Sequence, residues 1–459
     1  MRAKIESDGL YWSLRFLFRI AFGIFFARIQ VRHLERIPSS GPIILASNHP
    51  NDLIDPLLLG TICPRRISFV AKNTLFSFGP FGPIFRRFGV IPIYRRQDAD
   101  PAEIEDLIEN NKAAFVACRE LLARDGVITM FPEGVSHRDP QVKRLKTGTA
   151  RIALESEASC GFNLGVLILP VGLTFSRWNR FRSEVLIRIG RPIAVEPYRR
   201  DFSSDPQEAV RRLTGEIERA LHALTVHTEE TTLARLARQV HEVFHHRLAL
   251  PAELAGPLFG EKEILEAIHY FQKIDPPWFF EFKERMEQYH QRLRGLGLRD
   301  RVFSHKTSPW FPFLIFLKAL TPALLGFPVA LFGILNNYLP YRLPTLIARR
   351  MEYLNAEGTI KFLSGAFLFP IFYLTQCICV GWFIGVPYAL LYLLVLPVSG
   401  LFTFHYWIWL RRIRNSLSFA LLYWTRKGIV QELRVERERL IADLSERQET
   451  FLREVLHKT

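Results

Sequence analysis

From Phe362 to Leu410 the chain carries not one Asp, Glu, Lys or Arg. A helix rises about 1.5 Å per residue and a membrane span needs about 20 apolar residues, so this stretch predicts two spans. The turn between them falls near Gly385-Val386-Pro387. His405, Tyr406, Trp407 and Trp409 sit at the far end, where an aromatic belt belongs. Lys361 bounds one side and Arg411, Arg412 and Arg414 the other, so the positive-inside rule makes both ends cytoplasmic. Phe311 to Asn336 is a further apolar segment, holding Lys318 but also Pro312, Pro322 and Pro328. As a full span it would separate Arg342, Arg349 and Arg350 from a cytoplasmic N-terminal domain. Two readings stand: a re-entrant hairpin broken at its prolines, or a span that breaks the rule.

The polar remainder explains the rest of the composition. Mean hydropathy is slightly positive at +0.08, yet Lys and Arg total 60 against 45 Asp and Glu, a net charge of +15. Such a charge suits an anionic partner: nucleic acid, a phosphate-bearing substrate or an acidic membrane face. The basic residues are spread along the chain with no nucleic-acid fold signature, so anionic membrane lipids fit better and no nucleic acid is expected. Met1–Leu10 lacks the organisation of a secretory signal. Tyr11–Ile29 is apolar but interrupted by Arg15, Arg19 and Arg28, and is expected to lie as an interfacial helix with its arginines toward lipid phosphates. The five cysteines are odd in number and scattered, which fits reduced, cytosol-facing thiols rather than a disulfide framework.

Between Pro42 and Arg200 short apolar runs alternate with helical stretches. Ile43–Ala46, Ile67–Ala71, Gly89–Tyr94, Val127–Phe131, Leu167–Leu173 and Val185–Ile189 have strand character. Ala102–Arg124 and Gly148–Ser156 have helical character, and the alternation favours a largely parallel sheet flanked by helices. Residues 201–305 read as a helical linker domain, with Asp205-Pro206 as a helix start and a break at Pro276-Pro277. In the charged tail, Ile429, Leu433, Leu440, Leu444, Phe451 and Val455 fall on one helix face.

Chemistry concentrates after the strands, where ligands collect in open α/β sheets. Ser47-Asn48-His49-Pro50-Asn51-Asp52-Leu53-Ile54-Asp55 supplies an imidazole with nearby carboxylates, the minimum for general-base catalysis. Asp55 and Asp52 are both available as its partner. Offsets of three share a helix face, whereas a six-residue offset must close over an irregular turn. Gly89–Arg96 ends in Arg95 and Arg96, whose planar forks suit phosphate. Phe131-Pro132-Glu133-Gly134-Val135-Ser136 brings a carboxylate, a flexible Gly and a hydroxyl. Lys146 opens the next helix, a favourable place for an anion. Leu169-Pro170-Val171-Gly172 ends another strand.

In this order the blocks resemble the glycerolipid (PlsC-type) acyltransferase family, over residues 43–195. Lys72 also falls where such sequences carry a Lys. The usual first motif has four residues between His and Asp. The five here resemble the branch of fungal glycerol-3-phosphate/dihydroxyacetone-phosphate acyltransferases, which favours Asp55. The resemblance implies an α/β acyltransferase domain at 31–200, between an interfacial helix at 1–30 and the helical linker. A membrane region at 306–414 and a charged helix at 415–459 would follow. It implies that His49 deprotonates a glycerol hydroxyl, oriented by Asp55, for direct attack on an acyl thioester. Arg95, supported by Arg96 or Lys72, would hold the acceptor phosphate. Glu133, Gly134 and Ser136 would position the acceptor, and Pro170 would shape the acyl side. The donor would be acyl-CoA or acyl carrier protein, with no cofactor and no metal. The acceptor would be glycerol-3-phosphate or dihydroxyacetone phosphate, alternatively lysophosphatidic acid. The protein would be an integral membrane protein with a cytoplasmic catalytic domain.

One competing signal remains. His241-Glu242-Val243-Phe244-His245 has the His-Glu-x-x-His spacing of zinc peptidases. Its flank is charged by Arg235, Arg238 and Arg247, which reads as a solvated helix.

Overall fold

The computed structural model describes residues 8–76, 85, 89–94, 104–137, 142–225, 231–244, 260–303, 311–351 and 356–455. The chain divides into two units, Met1–His227 with Ala348–Phe362, and Thr228–Ile347 with Leu363–Thr459.

The first unit is built on an eight-stranded sheet. Its strands are β1 (Phe26–Arg32), β2 (Ile43–Ser47), β3 (Ile67–Lys72), β4 (Ile91–Ile93), β5 (Val127–Met130), β6 (Leu167–Phe175), β7 (Ser183–Ile189) and β8 (Ile193–Ala194). The order is β1-β7-β6-β2-β5-β3-β4, with β8 beside β6. From β6 through β4 every neighbour is parallel, while β7 runs antiparallel to β6 and β1 runs parallel to β7. The sheet is therefore mixed and largely parallel, flanked by helices. These are α1 (Asp8–Phe25), α2 (Ile54–Ile62), α3 (Ile104–Leu122), α4 (Gly148–Ser159), α5 (Arg199–Ser204) and α6 (Pro206–Leu224).

Strand β2 is central and buried throughout, as an apolar run covered on both faces must be. Ile44, Ala46, Ile128, Met130 and Ile168 face a core shared with α3, α4 and α6. Ile43, Leu45 and Val127 alternate to the other face and are equally buried. Asp205 caps α6 by accepting from the N–H groups of Gln207 and Glu208 at 2.9 and 3.1 Å. Gly172 of β6 sits so close to α6 that a Cβ there would lie 2.7 Å from Leu224. Residues 201–225 therefore belong to the sheet's own unit, not to the helical linker.

The N-terminal segment needs two further corrections. The helix stops at Phe25, and Phe26–Arg32 is a strand registered on β7. Arg15 does not point to lipid. Its Nε and Nη2 donate to the Thr61 carbonyl at the end of α2, at 3.3 and 3.2 Å. Leu10, Trp12, Phe16, Leu17, Ile20 and Ile24 of α1 are exposed.

The second unit is helical: α7 (Thr231–Phe244), α8 (Gly260–Ile274), α9 (Pro276–Gly295), most of α10 (Phe311–Arg350) and of α11 (Glu357–Phe383), α12 (Val386–Thr425) and α13 (Lys427–Val455). Among the described residues three helices are long and apolar enough to cross a membrane: Leu320–Arg350, Glu357–Phe383 and Val386–Arg411. Helix α10 does not break at its prolines; it runs through Pro322, Pro328, Pro340 and Pro344. Proline is tolerated where neighbouring helices and polar side chains take up the freed carbonyls. One such neighbour is Gln376, which donates to the Asn336 carbonyl that Pro340 leaves without its helical donor, at 3.0 Å.

Helices α9 and α13 join by charge. Arg292 pairs with Glu432 and Glu436 at 2.8 and 2.9 Å, and Arg447 with Asp275 at 2.9 Å. Beneath them Arg437 forks onto Asp300 at 2.8 and 3.0 Å, both side chains being buried.

Candidate active site

His49 lies two residues beyond β2, and the 131–137 loop follows β5, the adjacent parallel strand. Ala46 is registered on Met130, so the two loops leave the sheet side by side. They are stitched together through the backbone of His49. Its N–H donates to Glu133 Oε1 at 3.1 Å, and its carbonyl accepts from the His137 N–H at 3.2 Å. On the other flank Asn48 donates to the Leu173 carbonyl at 2.9 Å and accepts from its N–H at 2.7 Å, which fixes the loop to β6.

The six-residue offset from His49 to Asp55 closes through an irregular turn. Asp52 has φ +45, a left-handed conformation that Asp tolerates better than most residues. The chain then enters α2, with Asp55 in its first turn. His49 Nδ1 and Asp55 Oδ2 lie 2.9 Å apart. Asp55, not Asp52, is thus the imidazole's partner. The same Oδ2 accepts from the Asn51 N–H at 2.7 Å. Nδ1–H donating to the carboxylate leaves Nε2 as the basic nitrogen. The imidazole stacks on Phe131, with centroids 4.0 Å apart and planes at 17°. The His49 side chain is 16% exposed and that of Asp55 0%. Burial pushes the Asp55 carboxyl up to about 6, against the opposing pull of His49 and the Asn51 N–H.

The other expected residues divide. Glu133 is buried, and its Oε2 takes the Lys143 N–H at 3.0 Å and the His137 imidazole. Both oxygens are engaged by the protein, so Glu133 braces the loops. Ser136 Oγ accepts from the Asp52 N–H at 3.1 Å and ties the same loops. Gly134 has φ +70, and a Cβ there would lie 2.7 Å from Lys146 Nζ. The Lys146 stem therefore crosses Gly134, carrying an exposed ammonium to the edge of the site. Lys72 ends β3 beside Ile93 of β4, at the same carboxyl edge of the sheet. Arg95 and Arg96 lie outside the described residues. Pro170 is buried inside β6, registered on Ala46, where it packs the sheet. His241 is on α7, and His245 lies outside the described residues. No group of three His, Cys, Asp or Glu among the described residues is arranged to hold a metal ion.

Residues 28–174 match the family described as Acyltransferase. They contain β2 through β5 with most of β1 and β6, and so both members of the His49–Asp55 pair. This segment is an acyltransferase-family domain. An uncharacterized acyltransferase of Schizosaccharomyces pombe is 24% identical over 447 residues, covering 78% of this chain and 64% of that protein. Glycerol-3-phosphate O-acyltransferase 2 of Saccharomyces cerevisiae is 28% identical over 207 residues, 43% of this chain and 26% of its own length. Human 1-acyl-sn-glycerol-3-phosphate acyltransferase alpha is 27% identical over 130 residues, 28% of this chain and 42% of that protein. The chain thus spans less than two thirds of the length of these relatives. The acyltransferase domain carries the His49–Asp55 pair at its centre.

Sequence reading missed Asn48, Asn51 and His137 as holders of the His49 loop. Asn48 and Asn51 flank His49 in the sequence, and their amides were the available signal.

Proposed function

We propose that this protein is a membrane-bound O-acyltransferase that moves a fatty acyl group from a thioester to glycerol-3-phosphate or dihydroxyacetone phosphate. The observation that carries it is the His49–Asp55 pair, a largely buried base with one edge open to solvent, backed by a fully buried carboxylate at the carboxyl end of a central parallel strand. His49 Nε2 takes the proton from an acceptor hydroxyl as its oxygen attacks the thioester carbonyl. Asp55 stabilises the imidazolium that results. The tetrahedral intermediate collapses with cleavage of the C–S bond, and the thiolate leaves with the proton from His49. Lys146 and Lys72, with Arg95 and Arg96, supply the cations for the acceptor phosphate. The reaction needs no cofactor beyond acyl-CoA or acyl carrier protein. Anionic membrane lipids and a cytoplasmic catalytic domain complete the proposal.

The choice of acceptor rests on extent of similarity. The matches to the two Saccharomyces cerevisiae glycerol-3-phosphate O-acyltransferases run over 43% and 64% of this chain, whereas that to the human 1-acyl-sn-glycerol-3-phosphate enzyme covers 28%. The test is purified full-length protein with labelled acyl-CoA, offered glycerol-3-phosphate, dihydroxyacetone phosphate and lysophosphatidic acid separately. Acylation of either of the first two is expected. Acylation of lysophosphatidic acid alone would replace the acceptor, and no transfer to any of them would sink the reading.

A further inference from the structure

The loop that carries His49 is held from a place remote in sequence. Asn51 is fully buried, and its N–H is one of the two donors on Asp55 Oδ2. Its carbonyl accepts from the Thr359 hydroxyl at 3.1 Å, 308 positions further along the chain. Its side-chain amide donates to the Trp178 carbonyl at 2.9 Å. Thr359 stands in the first turn of α11 and is 4% exposed. Next to it, Gly358 leaves no room: a Cβ there would come 2.5 Å from Asn51 Oδ1 and 2.7 Å from the Trp178 carbonyl. The same turn is fastened on both sides. Lys361 pairs with Glu357 at 2.7 Å and donates to the Asn179 carbonyl at 3.3 Å. Asn179 donates to Glu357 at 3.1 Å. Phe362 stacks on Phe22 of α1, with centroids 4.5 Å apart and planes at 6°.

We infer that Thr359 is a positioning residue for the His49–Asp55 pair, acting through Asn51; this rests on the acyl-transfer reading of that pair. A hydroxyl in the first turn of an apolar helix fixes the carbonyl of a peptide whose neighbour holds the carboxylate. If that bond is lost, Asn51 can rotate away and Asp55 loses a donor that aims it at Nδ1. Small misplacements of an orienting group cost rate rather than binding. Thr359 is not a substrate contact, so its loss should appear in kcat. Because Gly358 is helical, Gly358→Ala suits the backbone, and its added methyl should push on Asn51 and on the Trp178 carbonyl that holds the Asn51 amide.

The experiment uses full-length protein in lipid nanodiscs. Thr359→Val keeps the shape and removes the hydroxyl. It should lower kcat about tenfold and leave both KM values within about twofold, as loss of one orienting hydrogen bond predicts. Thr359→Ser restores the donor and should return kcat to within about threefold of the parent. Amide hydrogen exchange over residues 49–56 should quicken in Thr359→Val and in Gly358→Ala, and recover in Thr359→Ser. Unchanged exchange in that loop, or kcat equal to the parent in Thr359→Val, overturns the inference. If the parent transfers no acyl group, the functional reading fails, while the exchange measurement still decides whether Thr359 holds the loop. His49→Ala in the same assay separates the two: it should be inactive with exchange over 50–56 little changed.

Discussion

His49 Nδ1 and Asp55 Oδ2 stand 2.9 Å apart, one side chain reaching solvent and the other fully enclosed. A base with an edge open to solvent and a buried orienting carboxylate divide the labour in a way that substitution can separate. His49→Ala removes the base and should cut kcat by about 10²–10⁴-fold. Asp55→Asn keeps the shape but favours the other tautomer, and should cost a comparable factor of about 10³–10⁴. Binding of either substrate should change little in both. Steady-state kinetics with each substrate varied in turn checks this, and an active His49→Ala enzyme would remove the mechanism.

Burial holds the Asp55 proton up to about 6, above the ordinary 3.8. The folded chain therefore binds this proton more tightly than the unfolded chain. Its contribution to stability is full below the lower value and is lost as pH rises through the upper one. Activity runs the other way, because only the carboxylate supports the imidazolium. We expect kcat/KM to fall as pH drops below about 6. Asp55→Asn should be more heat-stable than the parent near neutral pH, with the gap closing toward about pH 4. A gap that widens on acidification would contradict the assigned direction.

Glu133 accepts from three partners that fix the two catalytic loops. Glu133→Gln turns one acceptor into a donor aimed at existing donors. That should cost about 1–3 kcal/mol of stability, read as a lower Tm, because a buried group loses its partner. A second acceptor-binding role would instead raise KM for the acceptor with Tm unchanged.

Gly134→Ala meets two obstacles, φ +70 and the Lys146 stem. A non-glycine residue in that region costs about 1–2 kcal/mol. Displacing the ammonium should also raise KM for a phosphate-bearing acceptor more than for the thioester. Equal effects on both substrates would detach Lys146 from the phosphate.

The strands and the His49–Asp55 pairing were legible because each was local. Buried parallel strands read as apolar runs, and His49, Asp55 and Glu133 sit within a few residues of strand ends. Strand β1 was legible in principle: Arg28, Gln30 and Arg32 alternate with Ile29 and Val31, but the preceding apolar helix masked the change of period. Arg15 could not be placed, since an arginine on an amphipathic face suits a lipid phosphate and a helix-end carbonyl equally. The Thr359–Asn51 bond was beyond reach, because no periodicity or motif links positions 308 apart. The prolines of α10 left its continuity open, because their cost depends on neighbours the sequence does not name.

The α9–α13 pairing bears on how the chain meets a bilayer. Helix α9 precedes the three apolar helices and α13 follows them, yet Arg292, Glu432 and Glu436 join the two. Charged helices in contact must share one side of a membrane. The chain between them therefore crosses an even number of times. In a bilayer, two of the three apolar helices would then cross fully and one would not. Helices α11 and α12 form a hairpin with basic residues at both open ends, Lys361 and Arg411, as the positive-inside rule asks. Helix α10, with four internal prolines, is then the one that would not carry the chain to the far side. Cysteines introduced at Gln291 and Glu438 in a cysteine-free chain, reconstituted in sealed vesicles, should react with an impermeant maleimide from the same side. Labelling from opposite sides would require an odd number of crossings and would break the α9–α13 pairing.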